Sequence, residues 1–166
     1  MSLTFEALLP VLVKGEVQFI VIGGVAGIAH GAARATYDVD VVYARAPENI
    51  RRLVAALESH QPYLRGVPPG LPFKWDEPTV QAGLNFTLTT KIGDLDLLAD
   101  VTGGGSYEQV LPFSEELEAF GVKCRFVSLE KLIQLKRAAG RPKDFEAIAE
   151  LQALLEERRS GSDATS

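Results

Sequence analysis

Asp38 and Asp40 flank Val39 at the start of an apolar run that ends at Tyr43, and Gly23-Gly24 lies fourteen residues upstream of Asp38. Side chains on a strand alternate faces, so the two carboxylates point the same way, about 6–7 Å apart along the chain. Carboxylates held that close repel one another unless a cation or a proton lies between them. The glycines follow a second apolar run, Gln18 to Ile22, at a turn where a backbone free of Cβ atoms can approach a phosphate. Acids and glycines together point to magnesium–nucleotide chemistry.

A centre that holds two cations for an in-line displacement needs a third acid. Magnesium takes carboxylate oxygens and keeps several waters, so few protein ligands suffice. Asp96, within Gly93-Asp-Leu-Asp-Leu-Leu98, is flanked by leucines in a strand where an unpaired charge is costly. Asp94 and Asp100 share its strand parity, and spacing alone does not choose among the three. Asp94 follows a turn glycine, which favours Asp96.

These residues must be positioned by a surrounding fold. Leu3, Phe5, Leu8, Leu9, Leu12 and Val13 fall at helical spacing over residues 3–14. A strand is expected over Val17–Ile22, a short helix over Val25–His30 closed by Gly31, and a strand over Asp38–Tyr43. Pro47 opens a helix to about Ser59. Five prolines and two glycines between 61 and 79 predict a long irregular loop, where Phe73 and Trp75 can stack on a base or anchor the loop to the core. Two hairpins follow, Leu84–Lys91 with Asp94–Val101 and Glu118–Phe120 with Val122–Val127. Ser128 caps a helix over Leu129–Ala139, Gly140 ends it, and Pro142 starts a last helix to about Arg158. The expected class is α+β: a mixed sheet with helices packed mainly on one face, plus C-terminal helices. One domain over residues 1–158 is expected, with a disordered tail at 159–166.

Composition bounds the functions. The chain has 166 residues and a formal net charge of −5, which speaks against a broad nucleic-acid-binding face. Cys124 is the single cysteine, so no intrachain disulfide forms, and it reads as a small core residue. With neither a signal peptide nor a membrane span in the sequence, a cytoplasmic location is expected. A dinucleotide-binding oxidoreductase fits poorly, because the first turn lacks Gly-x-Gly-x-x-Gly and the hairpins oppose a parallel sheet.

The pattern Gly23-Gly24-x-Ala26-x-x-x-His30-Gly31-x-x-Arg34-x-Thr36-x-Asp38-Val39-Asp40 resembles the signature of the DNA polymerase β-like nucleotidyltransferase superfamily. It is most similar to the minimal, abortive-infection (toxin–antitoxin) type, in which Arg-x-Thr precedes the acidic pair. Gly93–Leu98 resembles the strand that bears the third carboxylate, and Leu132–Asp144 a C-terminal helical segment. The resemblance implies an enzyme that moves a nucleoside monophosphate from an NTP to an RNA, protein or small-molecule acceptor and releases pyrophosphate. It implies Mg²⁺ or Mn²⁺ held by Asp38, Asp40 and Asp96, with Asp96 orienting or deprotonating the attacking hydroxyl. Gly23, Gly24, Arg34, Thr36 and Lys136 would meet the nucleotide, and Asp144 matches a late aspartate of the pattern. Each has a plainer reading: Arg34 can pair with an acid, Thr36 can bond locally, Lys136 can snorkel, and Asp144 can serve a helix's first turn. Where many members have Gly-Ser this chain has Gly23-Gly24, and it lacks that serine's hydroxyl. The alternative is a non-catalytic relative that binds nucleotide or an antitoxin-like protein partner.

Overall fold

β-Branched and aromatic residues make β1 (Phe19–Ile22) and the second half of β2 (Asp38–Tyr43) extended, and the two strands pair antiparallel at the middle of the sheet. This computed structural model describes residues 4–33, 36, 38–68 and 70–164. Five further strands complete a seven-stranded sheet: β3 (Tyr63–Leu64), β4 (Phe86–Thr90), β5 (Gly93–Leu98), β6 (Ser114–Ala119) and β7 (Val122–Val127). Their spatial order is β3-β4-β5-β2-β1-β7-β6. β5 runs parallel to β2 and β7 parallel to β1, whereas the other neighbours are antiparallel. The mixed α+β architecture agrees with the sequence reading.

One face of the sheet is apolar because every second residue of the central strands is aliphatic. Val39, Val41, Leu95 and Leu97 are fully buried, and α1 (Thr4–Lys14) packs over β2, β5 and β7 with Phe5, Leu8, Leu9 and Leu12. α3 (Pro47–Leu57) lies beside α1, buries Ile50, Leu53 and Leu57, and passes into a 3₁₀ turn at Glu58–His60. Buried Asn49 fastens α3 to the sheet. Its amide donates to the carbonyls of Ala44 (2.8 Å) and Gln18 (3.1 Å) and accepts from the Gln18 N–H (2.7 Å). Cys124 is buried, and burial pushes its thiol up to about 12, out of range for nucleophilic work.

A short helix, α5 (Tyr107–Val110), links β5 to β6; on the other side of the motif, α2 (Gly23–Ala29) packs against α6 (Leu129–Ala139), and α6 against α7 (Pro142–Ala164). The Ser128 hydroxyl accepts from the Lys131 N–H, and Gly140 ends α6 in the left-handed conformation, as the sequence indicates.

Several boundaries differ from expectation. α2 begins at Gly23 rather than Val25, because Gly23 turns the chain at φ +68° directly off β1. β6 is longer than Glu118–Phe120; its glutamates 115, 116 and 118 mark a charged edge strand, a pattern read too easily as loop. Residues 61–79 are not wholly irregular. Tyr63–Leu64 adds to the edge of β4, and α4 (Glu77–Ala82) places Pro78 in its first turn behind the Asp76 cap. Trp75 donates its indole N–H to the Val54 carbonyl at 3.0 Å, so it anchors this segment on α3. Lastly, residues 159–164, expected within a disordered tail, continue α7. Arg158 donates to the His30 carbonyl (3.2 Å) and Arg159 reaches Glu130 (3.2 Å), which ties this polar stretch to α2 and α6. Among the described residues no helix is long and apolar enough to cross a membrane.

Candidate active site

The parallel pairing of β2 with β5 places Asp38 beside Asp94 and Asp40 beside Asp96, all on the face opposite the α1-covered core. One carboxylate oxygen from each of Asp38, Asp40 and Asp96 lies within 4.8 Å of the others. Asp94 stays outside that group and pairs with Arg65, while Asp100 sits farther along the same cavity. Burial pushes the Asp40 carboxyl up to about 7. The hydrogen bond to Asp96 and the charges of Asp96 and Asp38 add to the rise, and Lys136 opposes it. A divalent cation among these oxygens would relieve both the burial cost and the mutual repulsion. The donor set, oxygen only and three carboxylates, suits magnesium or manganese.

The three acids open on a cavity of about 610 Å³. Gly23 and Gly24 line it, and each glycine has a local reason. A Cβ on Gly23 would collide with the Asp40 carboxylate, at a backbone φ that side chains avoid. A Cβ on Gly24 would lie 2.8 Å from the Thr36 hydroxyl and 3.0 Å from its Cβ. Thr36 therefore fills the space that a serine at position 24 would need. Its hydroxyl donates locally to the Asp38 carbonyl at 3.3 Å and also lines the cavity. Arg34 lies outside the described residues.

The opposite wall is basic. Lys136 projects from α6 with its amine 3.9 Å from Asp144, and Arg141 and Lys143 join it on the cavity lining. Asp144 is buried at the start of α7, which penalises its charge, but two side-chain hydrogen bonds from Arg141 (2.8 and 3.3 Å) and the Lys136 charge outweigh that and hold its carboxyl below the usual range. Burial lowers the Lys136 amine, and Asp144 and Asp40 pull it back up. Lys136 thus faces two carboxylates rather than snorkelling to open water.

His30 is structural. Buried between α2 and β7, its Nε2 meets the Val127 carbonyl at 2.8 Å, and Arg158 donates to Nδ1 at 3.0 Å. Burial, the dominant cause, lowers its pKa and keeps the ring neutral.

Three cationic residues near the acids escaped the sequence reading. Arg141 and Lys143 lie inside the Leu132–Asp144 stretch, where a basic cluster before an acid was a usable signal. Arg65 carries none, being one arginine in a proline-rich segment. Its guanidinium is 2.8 Å from Asp96, 3.4 Å from Asp94 and 3.8 Å from Asp38.

Solved structures that include nucleotidyltransferases share this fold. The lincosamide antibiotic adenylyltransferase LnuA, solved with lincomycin bound, superposes with a TM-score of 0.60 at 15% identity, covering 91% of this chain and 96% of that one. A putative nucleotidyltransferase from Thermotoga maritima gives 0.53 at 16% identity over 90% of this chain and 92% of the other. The antibiotic-resistance factor ANT(2'')-Ia gives 0.54 at 15% identity over 98% and 92%. No protein-family model matches the sequence, and no curated protein matches it significantly. At these identities the likeness establishes architecture: the chain has the nucleotidyltransferase fold, with an acidic cluster and a basic wall facing one cavity.

Proposed function

We propose that the protein is a divalent-metal-dependent nucleotidyltransferase that transfers a nucleoside monophosphate from an NTP to a hydroxyl of a small molecule. The observation that carries this reading is the convergence of Asp38, Asp40 and Asp96 on a cavity whose far wall bears Lys136, Arg141 and Lys143. Acids that suit Mg²⁺ or Mn²⁺ thus stand opposite cations that suit a polyphosphate.

Asp38, Asp40 and Asp96 would hold the ion. When bound, it supplies charge neutralisation at the reacting phosphate. The remaining work falls to the chain itself. Lys136, Arg141 and Lys143 hold the triphosphate against the acids, and Gly24 with Thr36 shapes the floor beneath it. Asp96 accepts the proton of the acceptor hydroxyl as its oxygen bonds to the α-phosphorus. The bond from that phosphorus to the bridging oxygen breaks, and pyrophosphate leaves with the electron pair. Positioning and charge account for most of such a rate enhancement.

A small acceptor is favoured over RNA by the net charge of −5 and by a cavity of about 610 Å³, within the size range of small-ligand sites. LnuA, solved with lincomycin, offers a parallel of that kind. Label from an α-labelled NTP should appear in the small-molecule fraction of a cell extract; label confined to RNA or protein would overturn the acceptor class.

One observation favours the non-catalytic alternative: Arg65 already neutralises part of the acidic cluster. NTP binding without pyrophosphate release, with Mn²⁺ and extract present, would select it. The antitoxin-like partner and the abortive-infection subtype rest on the sequence motifs alone.

A further inference from the structure

Among the described residues of the proline-rich segment, Arg65 is the one that pairs with the acidic cluster, and several contacts hold it there. Tyr63 and Leu64 pair with Thr89 and Leu88 on the edge of β4. The Arg65 N–H continues that ladder to the Thr87 carbonyl at 2.9 Å. Beyond it, Gly66 turns the chain away at φ +79°, and the Tyr63 hydroxyl closes the loop on the carbonyls of Pro68 (3.1 Å) and Leu71 (3.0 Å). The side chain then runs across β4 to β5. One terminal nitrogen donates both to the Leu88 carbonyl (2.7 Å) and to Asp96 (2.8 Å). The guanidinium also lies 3.8 Å from Asp38 and 3.4 Å from Asp94. Its Nε is buried without a hydrogen bond. That Nε is the atom 3.4 Å from Asp94, and with the two terminal nitrogens the guanidinium spans three carboxylates.

Arg65 does not line the cavity that Asp38, Asp40 and Asp96 face. It approaches the acids from the β4 side, and Lys136 from the α6 side. Asp38, Asp40, Asp94 and Asp96 together carry up to four negative charges on adjacent strands, a density that would splay the side chains apart. We propose that Arg65 is a positioning residue of the nucleotidyl-transfer centre: it fixes Asp96 and Asp38 from behind and carries a permanent counter-charge that weakens the cluster's hold on divalent ions. The proposal rests on the reading of Asp38, Asp40 and Asp96 as metal ligands. Two consequences pull in opposite directions. Removing the guanidinium strengthens cation binding, because one positive charge leaves the site, and it slows transfer, because Asp96 loses the partner that fixes its orientation.

The test is calorimetric titration of nucleotide-free protein with MnCl₂, using wild type, Arg65→Gln, Arg65→Lys and, as a charge control, Arg51→Gln on the exposed side of α3. Arg65→Gln should bind Mn²⁺ about tenfold or more tightly than wild type, the direction a site charge dictates. Arg51→Gln, removing an exposed charge on a different face, should stay within about twofold because solvent and salt screen it. Arg65→Lys restores the charge and should return Mn²⁺ affinity to near wild type. A single ammonium cannot span three carboxylates, so the turnover of pyrophosphate release should stay low in both Arg65 variants, with the NTP KM little changed. Equal Mn²⁺ affinity in wild type and Arg65→Gln would overturn the role of Arg65 and leave the metal-ligand reading standing. No Mn²⁺ binding by either protein would overturn both. Should Arg65→Gln fail to fold, Arg65→Lys decides alone: full turnover would contradict the proposal, and low turnover at wild-type Mn²⁺ affinity would support it.

Discussion

Asp40 and Asp96 are register partners on parallel strands, and a carboxylate oxygen of one lies within 4.8 Å of a carboxylate oxygen of the other, on the face of the sheet opposite α1. Carboxylates held that close repel one another unless a proton or a cation lies between them. Burial and the neighbouring acids push Asp40 up to about 7, so it keeps a proton into the neutral range unless a cation replaces it. The strand pairing that builds the sheet therefore also gathers carboxylates whose remaining charge a bound cation would balance.

Asp40→Asn should stabilise the metal-free protein at neutral pH and weaken metal binding. A carboxyl whose folded pKa is raised favours folding most below its unfolded value of 3.8, and that contribution is lost as pH rises towards about 7. The asparagine variant lacks this dependence. Its Tm in EDTA should exceed that of wild type by a margin that widens from about pH 4 to about pH 7. Parallel curves would show that Asp40 is not perturbed in this way. Saturating Mn²⁺ at pH 7 should raise the wild-type Tm more than that of the variant.

Gly23→Ala should cost about 1–3 kcal/mol from backbone strain at φ +68° and should displace the Asp40 carboxylate as well. Denaturant unfolding measures the first effect and Mn²⁺ titration the second. Gly24→Ser, which introduces the serine of the resembled Gly-Ser pattern, should not improve activity, because its Cβ meets Thr36 at 2.8–3.0 Å. A gain of activity in this variant would show that Thr36 yields easily and that the absent hydroxyl matters more than the fit.

Lys136→Gln should raise the NTP KM by ~10–100-fold, the range for losing a charge-assisted contact to phosphate. Asp144→Asn should act in the same direction and more weakly, since Asp144 acts through Lys136 (3.9 Å) and Arg141 (2.8 Å). Steady-state kinetics of pyrophosphate release measures both. An unchanged KM in Lys136→Gln would return that lysine to a structural role.

Much of this could be read from the residues because local chemistry agreed with the fold. The alternation in Asp38-Val39-Asp40-Val41 assigns the acids to one face, and Ser128 and Gly140 bracket α6 as their types dictate. Three features needed tertiary structure. Arg65 joins the acids only because a two-residue strand adds to the edge of β4, and a run so short leaves no periodic trace among five prolines. The crowding of Gly24 by Thr36 depends on a contact between residues twelve apart in sequence. α7 passes Arg158 because Arg158 and Arg159 find partners on α2 and α6, which the polarity of the tail conceals.

The most direct measurement incubates the protein with each α-labelled NTP, Mg²⁺ or Mn²⁺, and the small-molecule fraction of a cell extract, with Asp40→Asn in parallel. Expected is label transferred to a small molecule with matching release of pyrophosphate by wild type, and a loss of ~10²–10³-fold or more in the variant. No transfer from any NTP, or transfer undiminished in Asp40→Asn, would contradict nucleotidyl transfer at this site.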